Sequence, residues 1–240
     1  MLVAAACCPC PPLLVPEVAA GAAGELEGLR AACMDAVGVL AAARPDVLVV
    51  VGPAERAGQG PHPQGAEGSF RGFGVDLAVR LGPAGGAEPD PDERELPMSL
   101  AVGAWLLERA EWNGAPVEAL GVEETLAGER CAEAGREIAA RAPRVALLVM
   151  GDGSARRTQK APGYYDERAA GFDAAAARAL GAADTAALAA LDAELALDLQ
   201  VAGRACWQAA AGAAADADLR GALLYNEAPY GVGYFVATWS

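Results

Sequence analysis

Val145-Ala-Leu-Leu-Val-Met150 runs without a polar residue straight into Gly151-Asp152-Gly153-Ser154. An apolar run of strand length closed by Gly has no polar side to show to water. It therefore fits a parallel strand covered on both faces. Two earlier runs share the pattern. Asp46-Val-Leu-Val-Val-Val51 stops at Gly52-Pro53, and Leu2 to Cys7 opens into the Pro-rich turn Pro9 to Pro16. Between those two, Leu26, Leu29, Cys33, Ala36, Val37 and Leu40 recur at helical spacing from Gly24 to Ala43, and Pro45 stops the helix. Strand, helix and strand in this order form a βαβ unit with a right-handed crossover. The sequence thus predicts an α/β fold, a three-layer α/β/α arrangement around a central, mainly parallel but mixed sheet.

Outward from these runs the pattern is less regular. Gly52 to Gly68 reads as a long loop, and the alternation of Phe73, Val75, Leu77, Val79 and Leu81 predicts a half-buried strand. Gly82 to Glu95 is acidic and breaker-rich, an exposed excursion. Pro97 suits the first turn of a helix through Ala110. Val117 to Leu120 is a short strand, followed by a helix from Glu123 to Arg141. Further helices are expected at 166–180, 184–197 and 199–213, with closing strands at Leu219 to Tyr225 and Val232 to Thr238 paired through the turn at Glu227 to Gly231. No internal repeat or linker composition interrupts the chain, so residues 1–240 are expected to form one domain.

Composition sets outer limits. The chain has 240 residues, of which 54% are hydrophobic and 21% charged, which excludes a largely disordered protein. A net charge of −14 argues against binding to a phosphate backbone, so no nucleic-acid partner is expected. No unbroken apolar stretch is long enough for a membrane span. Met1 to Cys7 ends in Ala-Ala-Ala-Cys but lacks a positive leading segment and a full apolar core, so it is not read as a signal peptide. The expected compartment is the cytoplasm, where the six Cys are reduced thiols. Cys33, Cys131 and Cys206 fall inside helical patterns and read as small buried hydrophobes.

In open α/β sheets ligands bind beyond the carboxyl ends of the strands. Three such exits stand out: Cys7 to Pro12, Gly52 to His62, and Gly151 to Lys160. Cys7 and Cys10 form a C-x-x-C, but Pro11, Pro12 and Pro16 delay the helix that would lower a thiol pKa. His62 is the only histidine, so no two-histidine relay or His-rich metal site can exist in one copy of the chain.

The stretch Met150 to Asp173 resembles the class III extradiol ring-cleavage dioxygenases, the LigB-like proteins and their Memo relatives. Asp152, Ser154, Arg156, Ala161, Pro162, Gly163, Tyr164, Phe172 and Asp173 all fall in register with the family's wording. Three further stretches agree and carry the resemblance from end to end of the chain. They are Cys10-Pro-Pro-Leu-Leu14, Val51-Gly52-Pro53, and Tyr225-Asn-Glu-Ala-Pro-Tyr-Gly-Val-Gly-Tyr-Phe-Val-Ala237.

The resemblance implies a site at the strand exits, where the active enzymes hold Fe(II) with two His and one Glu and keep a further His as acid/base. This chain departs from that set. Cys10 stands at the first ligand position, and Glu55, or His62 with a loop shift, at the second. Ala155 stands where the acid/base His belongs. Asp198-Leu-Gln-Val-Ala202 stands where the Glu ligand belongs, so Val201 and Ala202 can coordinate nothing. The candidate metal ligands are therefore Cys10, Glu55 and His62, and the candidate catalytic residues Asp152 and Ser154. Fe(II) is the cofactor the resemblance implies, and a thiolate ligand would favour zinc.

Three functions follow. The first is a LigB-like protein with an altered or vestigial metal site, binding a small molecule or a protein partner in the former ring-cleavage crevice. The second is a non-haem metal-dependent oxidoreductase with a remodelled Cys10/Glu55/His62 site. The third is a redox protein acting through Cys7 and Cys10. The family often forms oligomers, so a homo-oligomer is also expected. On any of the first two readings Cys10, Glu55 and Asp152 should meet at the carboxyl edge of the sheet.

Overall fold

The computed structural model describes residues 1–83 and 94–240. In chain order its strands and helices are β1 (Leu2–Cys8), α1 (Pro16–Ala19), α2 (Glu27–Ala42), β2 (Val47–Pro53), β3 (Gly60–His62), β4 (Glu67–Ser69), β5 (Ala78–Arg80), α3 (Met98–Arg109), β6 (Val117–Val122), α4 (Gly128–Ala139), β7 (Val145–Met150), α5 (Arg168–Ala182), α6 (Thr185–Ala189), α7 (Ala193–Asp198), α8 (Arg204–Ala213), β8 (Gly221–Glu227) and β9 (Tyr234–Trp239).

Seven strands form one sheet in the order β3-β6-β2-β7-β1-β9-β8. β6, β2, β7 and β1 run parallel, while β3, β9 and β8 are antiparallel to their neighbours. This is the mixed, mainly parallel α/β sheet that the apolar runs predict. Alternation along each central strand builds two cores. Ala146, Leu148 and Met150 join Leu48, Val50 and Cys8 against α2 and α3. Val145, Leu147 and Val149 join Val47, Val49 and Cys7 against α4, α5 and α8. Every residue of β7 is buried, so no side chain on it could be polar without losing its water. Among the described residues no helix is long and apolar enough to cross a membrane.

Several sequence expectations are corrected. Phe73 is 49% exposed in a 3-10 turn that ends at Gly74 with φ +78, so the alternation from 73 onward does not form one strand. Only Ala78–Arg80 is extended, paired with Glu67–Ser69 in a separate two-stranded sheet. The loop assigned to Gly52–Gly68 contains β3. The helix expected from Glu123 starts at Gly128, because the buried Arg204 guanidinium bonds the Glu124 and Leu126 carbonyls in the loop before it. The helix at 184–197 is two, since Asp192 caps a new start by accepting from the Glu194 and Leu195 amides. The helix at 199–213 starts only at Arg204, after Gln200 takes φ +55. Pro97 sits at the N-cap of α3, one residue before its first turn. Most of the excursion expected at Gly82–Glu95 lies outside the described residues.

α4 and α8 cross at backbone contact. A Cβ on Gly135 would lie 1.9 Å from the Ala209 carbonyl oxygen, and one on Gly212 would lie 2.2 Å from that of Ala132. In an exposed helix Gly→Ala stabilises by about 1 kcal/mol. At Gly135 the sign should reverse, with Gly135→Ala costing about 1–3 kcal/mol through overpacking, read as a lower urea midpoint at unchanged m-value.

Candidate functional site

Four parallel strands end on the same edge of the sheet, and each delivers a side chain with chemistry. β1 leads to Cys10, β2 to Glu55, β6 to Glu124 and β7 to Asp152. The exits of β1 and β7 are tied directly. Gly151 N–H donates to the Cys8 carbonyl at 2.9 Å, and Cys10 N–H donates to Asp152 Oδ1 at 2.7 Å. A cleft of about 980 Å³ opens beside them, lined by Cys10, Glu55, Arg56, Arg94, Ser99 and Glu124 among others.

Burial governs the electrostatics here. Desolvation pushes the Asp152 carboxyl up to about 7 even though Cys10 donates hydrogen bonds to it, and the nearby Glu124 charge adds to the rise. Asp152 is half-buried, and its Oδ1 is taken by the Cys10 amide. Burial likewise raises the Cys10 thiol, with Asp152, Cys206 and Glu124 reinforcing it. The Glu124 carboxyl is raised by partial desolvation and by Glu55, against the pull of Arg204. Tyr234, buried on β9, has its phenol raised by burial and then by the charges of Asp152 and Cys10. At neutral pH Asp152 is near half-protonation, the state suited to a proton acceptor or donor.

Two structural braces hold the edge. Arg204 is 1% exposed and donates to Leu126 O at 2.6 Å, to Gln208 Oε1 at 2.9 Å, and to Glu124 O. It thereby fixes the loop that carries Glu124. Asp173, on α5, accepts from Ser154 N–H at 2.8 Å, Ser154 Oγ at 2.9 Å and Arg157 at 3.0 Å. Gly153 N–H donates to Gly233 O, and Gly233 N–H to Ser154 O, which ties the β7 exit to the chain entering β9.

The sequence candidates fall into two groups. Cys10 and Asp152 are in direct contact, and Glu55 lines the same cleft as Cys10. Ser154 is fully buried, with its hydroxyl committed to Asp173. His62 is 2% exposed on the edge strand β3, pairs with Ala119, and places Nε2 2.9 Å from the Gly58 carbonyl; it is not among the cleft residues. Cys7 packs in the core on the α5 and α8 face and Cys10 in the core on the other, and burial raises both thiols. That is opposite to the lowered pKa of a redox-active pair. The segment aligned with the family's Glu ligand does reach the site, since Gly203 N–H donates to the Asp152 carbonyl at 2.9 Å. Within it, Asp198 turns out to an ion pair with Arg168 at 3.2 Å. Glu124, Arg204 and Tyr234 were not singled out from sequence. Glu124 was legible as the first polar pair beyond a fourth buried strand run.

No family model matches the chain, and no curated protein matches it. Among solved structures, the chain superposes on an uncharacterized protein, JW3007, from Escherichia coli K12, with a TM-score of 0.58 and 13% identity over 99% of each chain. That likeness concerns the fold.

The Asp152 carboxyl gives a pH signature. Between its ordinary 3.8 and about 7 the folded state holds one proton more than the unfolded state. Stability from this group is therefore full below the lower value and falls as pH rises through the window. Asp152→Asn should flatten that part of the urea-stability profile between pH 4 and 8 by a few kcal/mol, and ¹³C NMR of the wild-type carboxyl should show a midpoint near 7.

Proposed function

We propose that this chain is a LigB-like, class III extradiol dioxygenase-like protein that binds a small molecule in the strand-exit cleft without the ring-cleaving iron site. The observation that carries this reading is the Cys10 N–H···Asp152 bond beside the cleft that Cys10 lines. It joins two of the stretches whose wording resembles the family, and by that wording Cys10 stands at the position of a ligand histidine. Gly233, next to Tyr234, bonds Gly153 and Ser154, and Gly203, next to Arg204, bonds the Asp152 carbonyl, so both segments reach the β7 exit.

The residues present do not fit a facial His/His/Glu iron site. The three family positions carry Cys10, Glu55 and the Val201-Ala202 pair, and Ala155 has no proton to move. Among the described residues no group of three His, Cys, Asp or Glu is arranged to hold a metal ion. A Cys10/Glu55/His62 centre would require His62 to leave the Gly58 carbonyl and turn to the cleft. What the cleft does offer is charge. Glu55 and Glu124 line it together with Arg56 and Arg94, and behind its Cys10 wall stands the Asp152 carboxyl, whose hold on a proton is strengthened by burial. These groups suit recognition of a small polar ligand.

The test is anaerobic Fe(II) reconstitution of protein made without an affinity tag, followed by O₂ and a panel of catechols. Wild type should retain no stoichiometric iron and form no yellow ring-opened product. General acid–base catalysis is worth about 10²- to 10⁴-fold, so Cys10→His alone, with Ala155 still in place, should not restore turnover. Ring-opened product from wild type at enzyme-like rates would overturn the reading.

A further inference from the structure

The two edges of the main sheet are treated very differently. At one edge, β3 is only three residues long and contains Pro61, which has no amide to offer. Arg94 covers the same edge by donating to the Gln59 carbonyl at 2.7 Å and the Pro61 carbonyl at 3.2 Å. Short length, proline and a capping cation are the usual means of blunting an edge.

The other edge has none of these. β8 is seven residues long, Gly221-Ala-Leu-Leu-Tyr-Asn-Glu227, and among the described residues pairs on one side only, with β9. Its first six residues carry neither charge nor proline. Leu223 and Leu224 are 40% and 42% exposed, an adjacent pair among the few large apolar side chains left in water. The register shift between Leu223 and Tyr225 leaves Leu224 with no partner on β9. A bulge is itself a device against edge pairing, and it is the one such device on this strand.

We infer that β8 is a self-association edge, and that its occupant is β8 of a second copy of this chain, paired antiparallel about a two-fold axis between Leu223 and Leu224. The charges bracketing the strand select that arrangement. Arg220 and Glu227, both exposed, lie at the two ends of the uncharged run. A two-fold axis at its centre sets Arg220 of each copy opposite Glu227 of the other, with the leucines stacked at the axis. Such a contact is isologous and closes after two copies, so it gives a dimer and not a fibre. A chain of net charge −14 opposes its own association elsewhere, which leaves these two ion pairs as the local attraction. The contact is one strand wide and smaller than the ~1,600 Å² of a standard interface, so the dimer should dissociate on dilution.

Sedimentation velocity over about 1–200 µM, on full-length protein with circular dichroism as the folding control, tests this. Wild type should shift from monomer to dimer across the range. Leu224→Lys should leave a monomer throughout. Arg220→Glu should weaken dimerisation by at least about tenfold, and adding Glu227→Arg to it should restore the wild-type constant. Restoration by the swap is a result that mere loss of folding cannot produce. A wild type that stays monomeric, a dimer indifferent to both single variants, or a swap that fails to restore association would each overturn the inference.

Discussion

Two-sided burial of the central strands is the constraint on which everything else rests. β2 and β7 are covered by helices on both faces, so neither can carry a polar side chain along its length. Polar side chains are thereby displaced to the places where these strands stop. The parallel order β6-β2-β7-β1 makes those stops neighbours, and Glu124, Glu55, Asp152 and Cys10 gather along one edge although they are far apart in sequence. The same burial raises the Asp152 carboxyl and the Cys10 thiol, because the edge is only partly open to water.

Much of this was legible in the residues, and the boundary of legibility has physical causes. Continuous apolar runs announced β1, β2 and β7, since only a strand covered twice tolerates them. The closing hairpin followed from the turn signals between Glu227 and Gly231. What failed were segments decided by distant partners. Glu123 to Ala127 has helical composition, yet Arg204 from another layer takes the carbonyls that a helix would use. The alternation after Phe73 is real, but Gly74 in the left-handed region breaks it.

The site shows the same division. Exit positions could be read from strand ends, so the placing of Cys10, Glu55 and Asp152 at one edge of the sheet was legible. The use made of a side chain was not. Ser154 and Asp152 are two residues apart after the same strand and look equivalent on paper. Both lie beyond the end of β7, where strand alternation no longer applies, and it is Asp173 on α5 that takes the Ser154 hydroxyl into a buried brace while Cys10 N–H takes the Asp152 carboxylate. His62, singular in composition, lies on an edge strand too short to register as a pattern.

The exit of β7, beside the cleft, is held by main chain. Gly151 to Cys8, Gly153 to Gly233 and Gly203 to Asp152 are backbone or carbonyl contacts, and a Cβ on Gly151 would lie 2.4 Å from Gly203 Cα. Such main-chain bonds do not depend on which side chains stand beside them, whereas a methyl group at Gly151 would wedge them apart. The molecule therefore separates an inheritable shape from a replaceable lining. It offers a ready chassis for installing a new ligand set, with the glycines as the positions to leave alone.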